Sequence, residues 1–215
     1  VGQIQEDEPI NLWVKNDSVN VSGSHKARHL MGVMIYLKVL EELSLPLFQT
    51  VENRPLAIAS CGNAALGAAV VARAARWPLD VFIPTDASSA VVDRLNALEA
   101  RVHICSRENS NSGDPCYHAF KNAVDAGSIP FSVQGNENGL VVEGGKTLVY
   151  EMLEQLQEEG AELSAFFVQV GGGALGSACV QAFREATGMG ALAELPKIYA
   201  VQTEGGHPLV RAYRK

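Results

Sequence analysis

The chain has 215 residues, 47% of them hydrophobic and 19% charged, enough apolar material to enclose a core in one large domain or two small ones. A formal charge of −7 leaves no basic stripe to displace counterions from a phosphate backbone, so nucleic acid is excluded as an expected partner. No apolar run approaches the roughly 18 to 20 residues that cross a bilayer, and the opening VGQIQEDEP lacks a basic or signal-like stretch, so a cytoplasmic protein without a membrane partner is expected.

Short runs rich in β-branched residues alternate with longer helical stretches, the pattern of βαβ units around a mostly parallel sheet. The first expected strand, residues 12–15, leads through a polar turn into a helix over 27–43. The joining segment, K-N-D-S-V-N-V-S-G-S-H-K-A-R at 15–28, places Lys26 in the first helical turn. There the helix dipole disfavours a second positive charge, which lowers the amine's pKa and raises the neutral fraction able to attack an aldehyde. An ordinary surface lysine beside an N-capping Ser24 is the alternative.

The next strand, 56–60, runs into A-S-C-G-N-A-A at 59–65 and then a helix over 64–76. Backbone N–H groups at such a helix start can receive a carboxylate or phosphate, and Asn63 offers both a donor and an acceptor. A plain helix cap by Ser60 or Asn63 reads the same residues without a ligand. Strands at 80–84, 101–105 and 131–134 then alternate with helices at 89–98 and 116–126. The polar stretch 106–114 reads as a surface loop. A second polar segment, 134–139, suits a hinge. It divides the chain into a small four-stranded α/β domain over 35–134 and a larger domain built from 1–34 with 135–215.

A helix over 145–158 precedes a strand at 165–170, whose end carries V-Q-V-G-G-G-A-L-G-S at 168–177, followed by a helix at 176–187 and a last strand at 197–202. Consecutive glycines let backbone approach an anion closely, and the N–H groups that follow, with the helix dipole, neutralise it. The spacing fits neither the dinucleotide G-x-G-x-x-G nor a Walker sequence. A tight turn without a ligand is the alternative.

Other chemistry-bearing residues carry less. The cysteines Cys61, Cys105, Cys116 and Cys179 form no C-x-x-C pair and have no companion histidines at zinc-finger spacing, so reduced thiols and no metal are expected. His25 and His29 flank Lys26 and read as solvent-facing or hydrogen-bonded helix residues. Glu204 alone does not make a cation site, and Met31 and Met34 read as core filler.

Taken together and in order, the three segments resemble those of the fold-type-II pyridoxal-5′-phosphate (PLP) enzymes. The 15–28 segment is similar to the family's Schiff-base run, with Lys26 at the cofactor lysine and His25 in place of the commoner Phe. Ser60-Cys61-Gly62-Asn63 looks like its asparagine loop, and the turn from Gly171 to Leu175 resembles its phosphate cradle, with Ala174 in place of a fourth glycine. V-E-G-G-K-T-L at 142–148 and V-Q-T-E-G-G-H-P-L-V at 201–210 look most like the threonine-synthase branch.

The resemblance implies two three-layer α/β/α domains with mostly parallel sheets, in a chain expected to be a fragment because family members carry further segments at both ends. It implies PLP bound by Lys26, Asn63, Gly171, Gly172, Gly173, Ala174 and Leu175, with Lys26 catalytic. A small amino-acid substrate would be held through its carboxylate by Ser60, Gly62, Asn63 and Ala64, in a homodimer. The expected reaction is that of a threonine synthase, O-phosphohomoserine to threonine and phosphate. Alternatives are a serine/threonine ammonia-lyase, a cysteine-synthase-like β-replacement, a non-catalytic PLP carrier, and a nucleotide-binding α/β protein.

Overall fold

A computed structural model describes residues 11–106 and 113–214. The opening VGQIQEDEP and most of the expected 106–114 loop lie outside the described residues. The elements run α1 (Lys26–Glu42), a 3-10 turn (Phe48–Thr50), β1 (Leu56–Ala59), α2 (Asn63–Ala75), β2 (Leu79–Pro84), α3 (Ser89–Ala97), β3 (Arg101–Cys105), α4 (Pro115–Asp125), β4 (Ile129–Pro130), α5 (Val141–Glu158), β5 (Ala165–Gln169), α6 (Ala174–Gly188), β6 (Lys197–Val201) and α7 (Pro208–Tyr213). Among the described residues, no helix is long and apolar enough to cross a membrane.

Four strands form one sheet in the order β3-β2-β1-β4, and β5 pairs with β6 in a second. Every pairing between them is parallel. Strand alternation assigns the layers of the first sheet. Leu56, Ile58, Leu79, Val81 and Ile83 join one core with Leu30, Val33 and Leu37 of α1 and Ala65, Ala68 and Val71 of α2. The intervening Ala57 and Phe82 face the opposite side, where α4 covers them with Cys116 and Phe120. Strand β1 is therefore apolar on both faces, as a covered parallel strand requires, while on the α4 side of the neighbouring strands Asp80 of β2 pairs with Arg101 and His103 of β3.

The second sheet lies on a core of Leu148, Val149 and Met152 of α5, Val168, and Cys179, Ala182 and Phe183 of α6. On its other face Phe167 and Tyr199 are exposed among the described residues and stack at 4.6 Å between centroids. This is the expected α/β architecture, with an open sheet.

Helix α5 joins the two halves. Its first residue, Val141, is buried in the first core, while its later turns line the second. It crosses α1 at a glycine contact, where a Cβ on Gly32 would sit 2.7 Å from Gly144 Cα, and one on Gly144 would sit 2.9 Å from His29 Cα. Only hydrogen at these positions lets the two backbones approach so closely.

Two expected strands differ. Residues 12–15 form no ladder among the described residues, and Leu12, Trp13 and Val14 are exposed; Lys15 instead reaches Glu151 and Gln155 of α5. The strand expected at 131–134 is displaced to Ile129–Pro130, which pair with Leu56 and Ala57. Phe131 makes a last bond, its N–H to Ala57 O at 2.8 Å, and buries its ring completely. The chain then turns off the sheet as Gln134 N–H donates to Ser132 Oγ at 3.3 Å. Helix α5 begins four residues before the expected start, because its glycines answer to the crossing with α1 rather than to a turn.

Candidate functional site

Lys26 opens α1. Its N–H donates to Ser24 Oγ at 3.3 Å, and its half-buried amine is held below the ordinary lysine pKa by loss of solvent. Burial thus lowers the basicity of this amine in the direction expected from sequence. The preceding loop is fixed by charge: Arg28 donates through Nε and Nη2 to both carboxylate oxygens of Asp17, each at 2.8 Å, and its Nη1 pairs with Glu151 at 2.7 Å. Such a two-point guanidinium–carboxylate contact sets orientation as well as distance.

The two histidines beside Lys26 are packed, not solvent-facing. His29 is buried, its Nδ1 donating to the Val141 carbonyl at 2.6 Å. The space beside its ring exists because residue 145 is glycine. His25 meets His29 edge to face, with centroids 5.5 Å apart. Burial first, then the charge of Lys26, pushes the His25 imidazole down to about 4. Its Nε2 is buried without a hydrogen-bond partner, a polar atom directed at no protein group beside the candidate cofactor lysine.

The loop after β1 begins where Ser60 N–H donates to Phe82 O at 3.2 Å and Ser60 Oγ accepts from Gly62 N at 3.4 Å. Gly62 is the N-cap of α2, and no side chain caps that helix. The capping alternative for Ser60 and Asn63 therefore fails, and Asn63 stands exposed at the first helical position with its amide uncommitted to a cap. The α2 backbone lies against the lysine loop: a Cβ on Gly67 would touch Ser22 Oγ at 3.3 Å and Ala27 N at 3.4 Å.

The third segment follows β5. Gly173 caps α6 at φ +98, the left-handed region that favours glycine. A Cβ built on Gly171, Gly172 or Gly173 would meet nothing within 4 Å, so the turn faces open space. The first N–H groups of α6, from Ala174 and Leu175 onward, have no intrahelical acceptor. The turn is held from behind by Gln202, whose Nε2 donates to Val170 O at 3.0 Å while its Oε1 accepts from Leu209 N at 3.1 Å. Sequence reading did not single out Gln202, although it lies inside the V-Q-T-E stretch.

Ala64 and Ala174, the residues just inside α2 and α6, pack against the same core cluster as Leu30 of α1. The structure thus gathers all three segments around one apolar floor. A cavity of about 850 Å³ borders this region, reaching Gly23, Ser24 and His25 on one side and Leu175 on the other. It does not include Lys26, Asn63 or the glycine turn, so it adjoins the candidate site rather than defining it.

These features suit PLP. They comprise a lysine amine of lowered basicity, an uncommitted amide, a glycine turn with free N–H donors at a helix start, and room beside it for an anion.

Comparison with known proteins agrees. The chain is 27% identical over 226 residues to an L-serine dehydratase of Saccharomyces cerevisiae (strain AWRI1631), which covers all of this chain and 63% of that relative. It thus spans about three-fifths of the length of the curated relatives it matches. Among solved structures, a fungal L-serine ammonia-lyase from Rhizomucor miehei superposes with a TM-score of 0.67 at 18% identity, over 92% of this chain and 56% of that one. The processed form of threonine deaminase isoform 2 from Solanum lycopersicum gives 0.65 at 21% identity, over 87% and 45%. The family model described as "Pyridoxal-phosphate dependent enzyme" matches residues 2–215, and the chain belongs to that family.

Proposed function

We propose that this chain is the catalytic part of a PLP-dependent ammonia-lyase that eliminates water from L-serine or L-threonine, the resulting enamine tautomerising to an imine that takes up water and releases ammonia to leave a 2-oxo acid. The observation that carries the reading is the alignment of the whole chain with serine dehydratase, together with a lysine of lowered basicity and an open glycine turn set around one floor. The threonine-synthase reading expected from the 142–148 and 201–210 stretches gains no support from these relatives.

When bound, PLP supplies an aldehyde for an amine and an electron-poor ring that draws electrons from the substrate Cα. Lys26 would hold it. The N–H groups of Gly171, Gly172, Gly173, Ala174 and Leu175 would receive its phosphate, and Asn63 would lie beside its ring. Ser60, Gly62, Asn63 and Ala64 would grip the substrate carboxylate, presenting the Cα–H bond to the Lys26 amine. A base must come within about 3 Å of that proton, and the burial that lowers this amine's basicity keeps a larger fraction of it neutral near pH 7. Closure of the 35–134 part over the rest would exclude water.

The reading predicts 2-oxo acid formation from serine or threonine by the full-length protein, with no phosphate release from O-phosphohomoserine. It also predicts absorbance at about 410–430 nm that borohydride removes while mass is added at Lys26. Lys26→Ala should abolish both signals. Phosphate release without 2-oxo acid formation would replace the lyase by the synthase. A colourless protein that takes up no cofactor would sink both.

A further inference from the structure

Away from the lysine site, the α4 side of the first sheet holds two thiols together. Alternation along β3 turns Arg101, His103 and Cys105 toward the same face, and His103 confirms the direction by stacking on Phe82 at 4.9 Å between centroids. Cys105, at the carboxyl end of the strand, packs against the cluster of Ala57, Phe82, Cys116 and Phe120. On α4, Cys116 and Phe120 are the two buried residues. They are four apart and so share one side of the helix. The first turn of α4 is fixed by Asp114, whose Oδ1 accepts from Cys116 N–H at 2.9 Å.

We propose that Cys105 and Cys116 form a redox couple, closing a disulfide between the end of β3 and the first turn of α4. The partly exposed Cys105 is the entry point, since Cys116 is buried. Burial first, and then the neighbouring Cys105, pushes the Cys116 thiol up to about 12, so Cys116 does not ionise first.

The co-reactant is a small-molecule disulfide such as oxidised glutathione. The Cys105 thiolate attacks one of its sulfurs, forming a mixed disulfide and expelling one glutathione thiolate. With Cys105 now uncharged, Cys116 loses its proton more readily. Its thiolate attacks the Cys105 sulfur and expels the second glutathione. Two protein thiols have then lost two electrons and two protons, and the glutathione disulfide has been reduced to two thiols. Neither other cysteine has such a neighbour: Cys61 is exposed in the loop after β1, and Cys179 is the single thiol in the second core.

The test treats the folded, full-length protein with oxidised glutathione, quenches in acid, blocks remaining thiols and maps the peptides by mass spectrometry. The expected product joins Cys105 to Cys116, has lost two hydrogens and is restored by dithiothreitol. In Cys116→Ala, glutathione should remain on Cys105, whereas in Cys105→Ala, Cys116 should stay unmodified. Stable glutathione on Cys105 beside a free Cys116 in the parent protein would overturn the proposal, as would an unreacted Cys105. Because the decisive reading is made on the parent protein, poor folding of either variant does not protect the idea.

Discussion

At the scale of single residues, the segment around Lys26 shows how burial tunes chemistry. Lys26, His25 and His29 lie in adjacent turns, and removal from water disfavours the charged form of each. For His25 the consequence is a pH dependence of folding. The folded state holds its imidazole at about 4, against an ordinary value near 6.5 in the unfolded chain. The unfolded chain therefore binds the proton first. The stability associated with neutral His25 is complete above pH 6.5 and is lost as the pH falls toward 4, and the lowered His29 acts in the same direction. Asp17 opposes the shift and Arg28 adds to it, but both rank below burial. Urea unfolding at a series of pH values should show stability declining over that window, with a shallower decline in His25→Gln. Equal slopes in parent and variant would mean that His25 is not held neutral. Sequence located Lys26 by its place at a helix start, but the cause of its altered basicity depends on what packs over it, which local spacing does not encode.

At the scale of elements, the crossing of α1 and α5 is the contact that carries the lysine segment. Gly32, Gly144 and Gly145 together make room for one backbone against another and for the His29 ring. The V-E-G-G-K stretch was visible in the sequence as a family likeness. Its physical reason, two helices in backbone contact, needed the partner helix. A methyl group at residue 144 would strike the Arg28 carbonyl and His29 Cα, both backbone, so the helices must separate. Overpacking of this kind typically costs about 1–3 kcal/mol. Gly144→Ala should lower the urea midpoint accordingly without changing the slope of the transition, whereas Gly139→Ala, with nothing within 4 Å of the added carbon, should stay within about 0.5 kcal/mol of the parent. A full-strength Gly144→Ala protein would show that the crossing is looser than the contacts imply. The longer helices were legible to within a few residues because their apolar period is local. Residues 12–15 were not, because alternation identifies a strand-like segment but not a neighbour to pair with.

For the whole molecule, the question is whether two sheets with separate cores behave as one folding unit. The link is α5, which contributes Val141 to the first core and Leu148, Val149, Met152 and Leu156 to the second. Ion pairs reinforce it on both sides, from Lys146 to Glu185 of α6 at 2.6 Å and from Glu151 to Arg28 of α1 at 2.7 Å. Phe183 in α6 is completely buried and meets Phe166 edge to face at 5.0 Å. Its truncation to alanine should cost about 3–5 kcal/mol in the second core. Trp77 packs on the first core and donates through Nε1 to Arg54 O at 2.8 Å, which makes it a reporter of the other half. In a Trp13→Phe background, where Trp77 is the only tryptophan, Phe183→Ala should shift the fluorescence transition by the same amount as the far-ultraviolet circular dichroism transition. The second core cannot be lost without releasing α5, and α5 cannot leave without withdrawing Val141 and the backing of α1. A Trp77 transition that stays in place while the helical signal divides into two steps would mean that the sheets unfold independently, with the glycine crossing too weak to couple them.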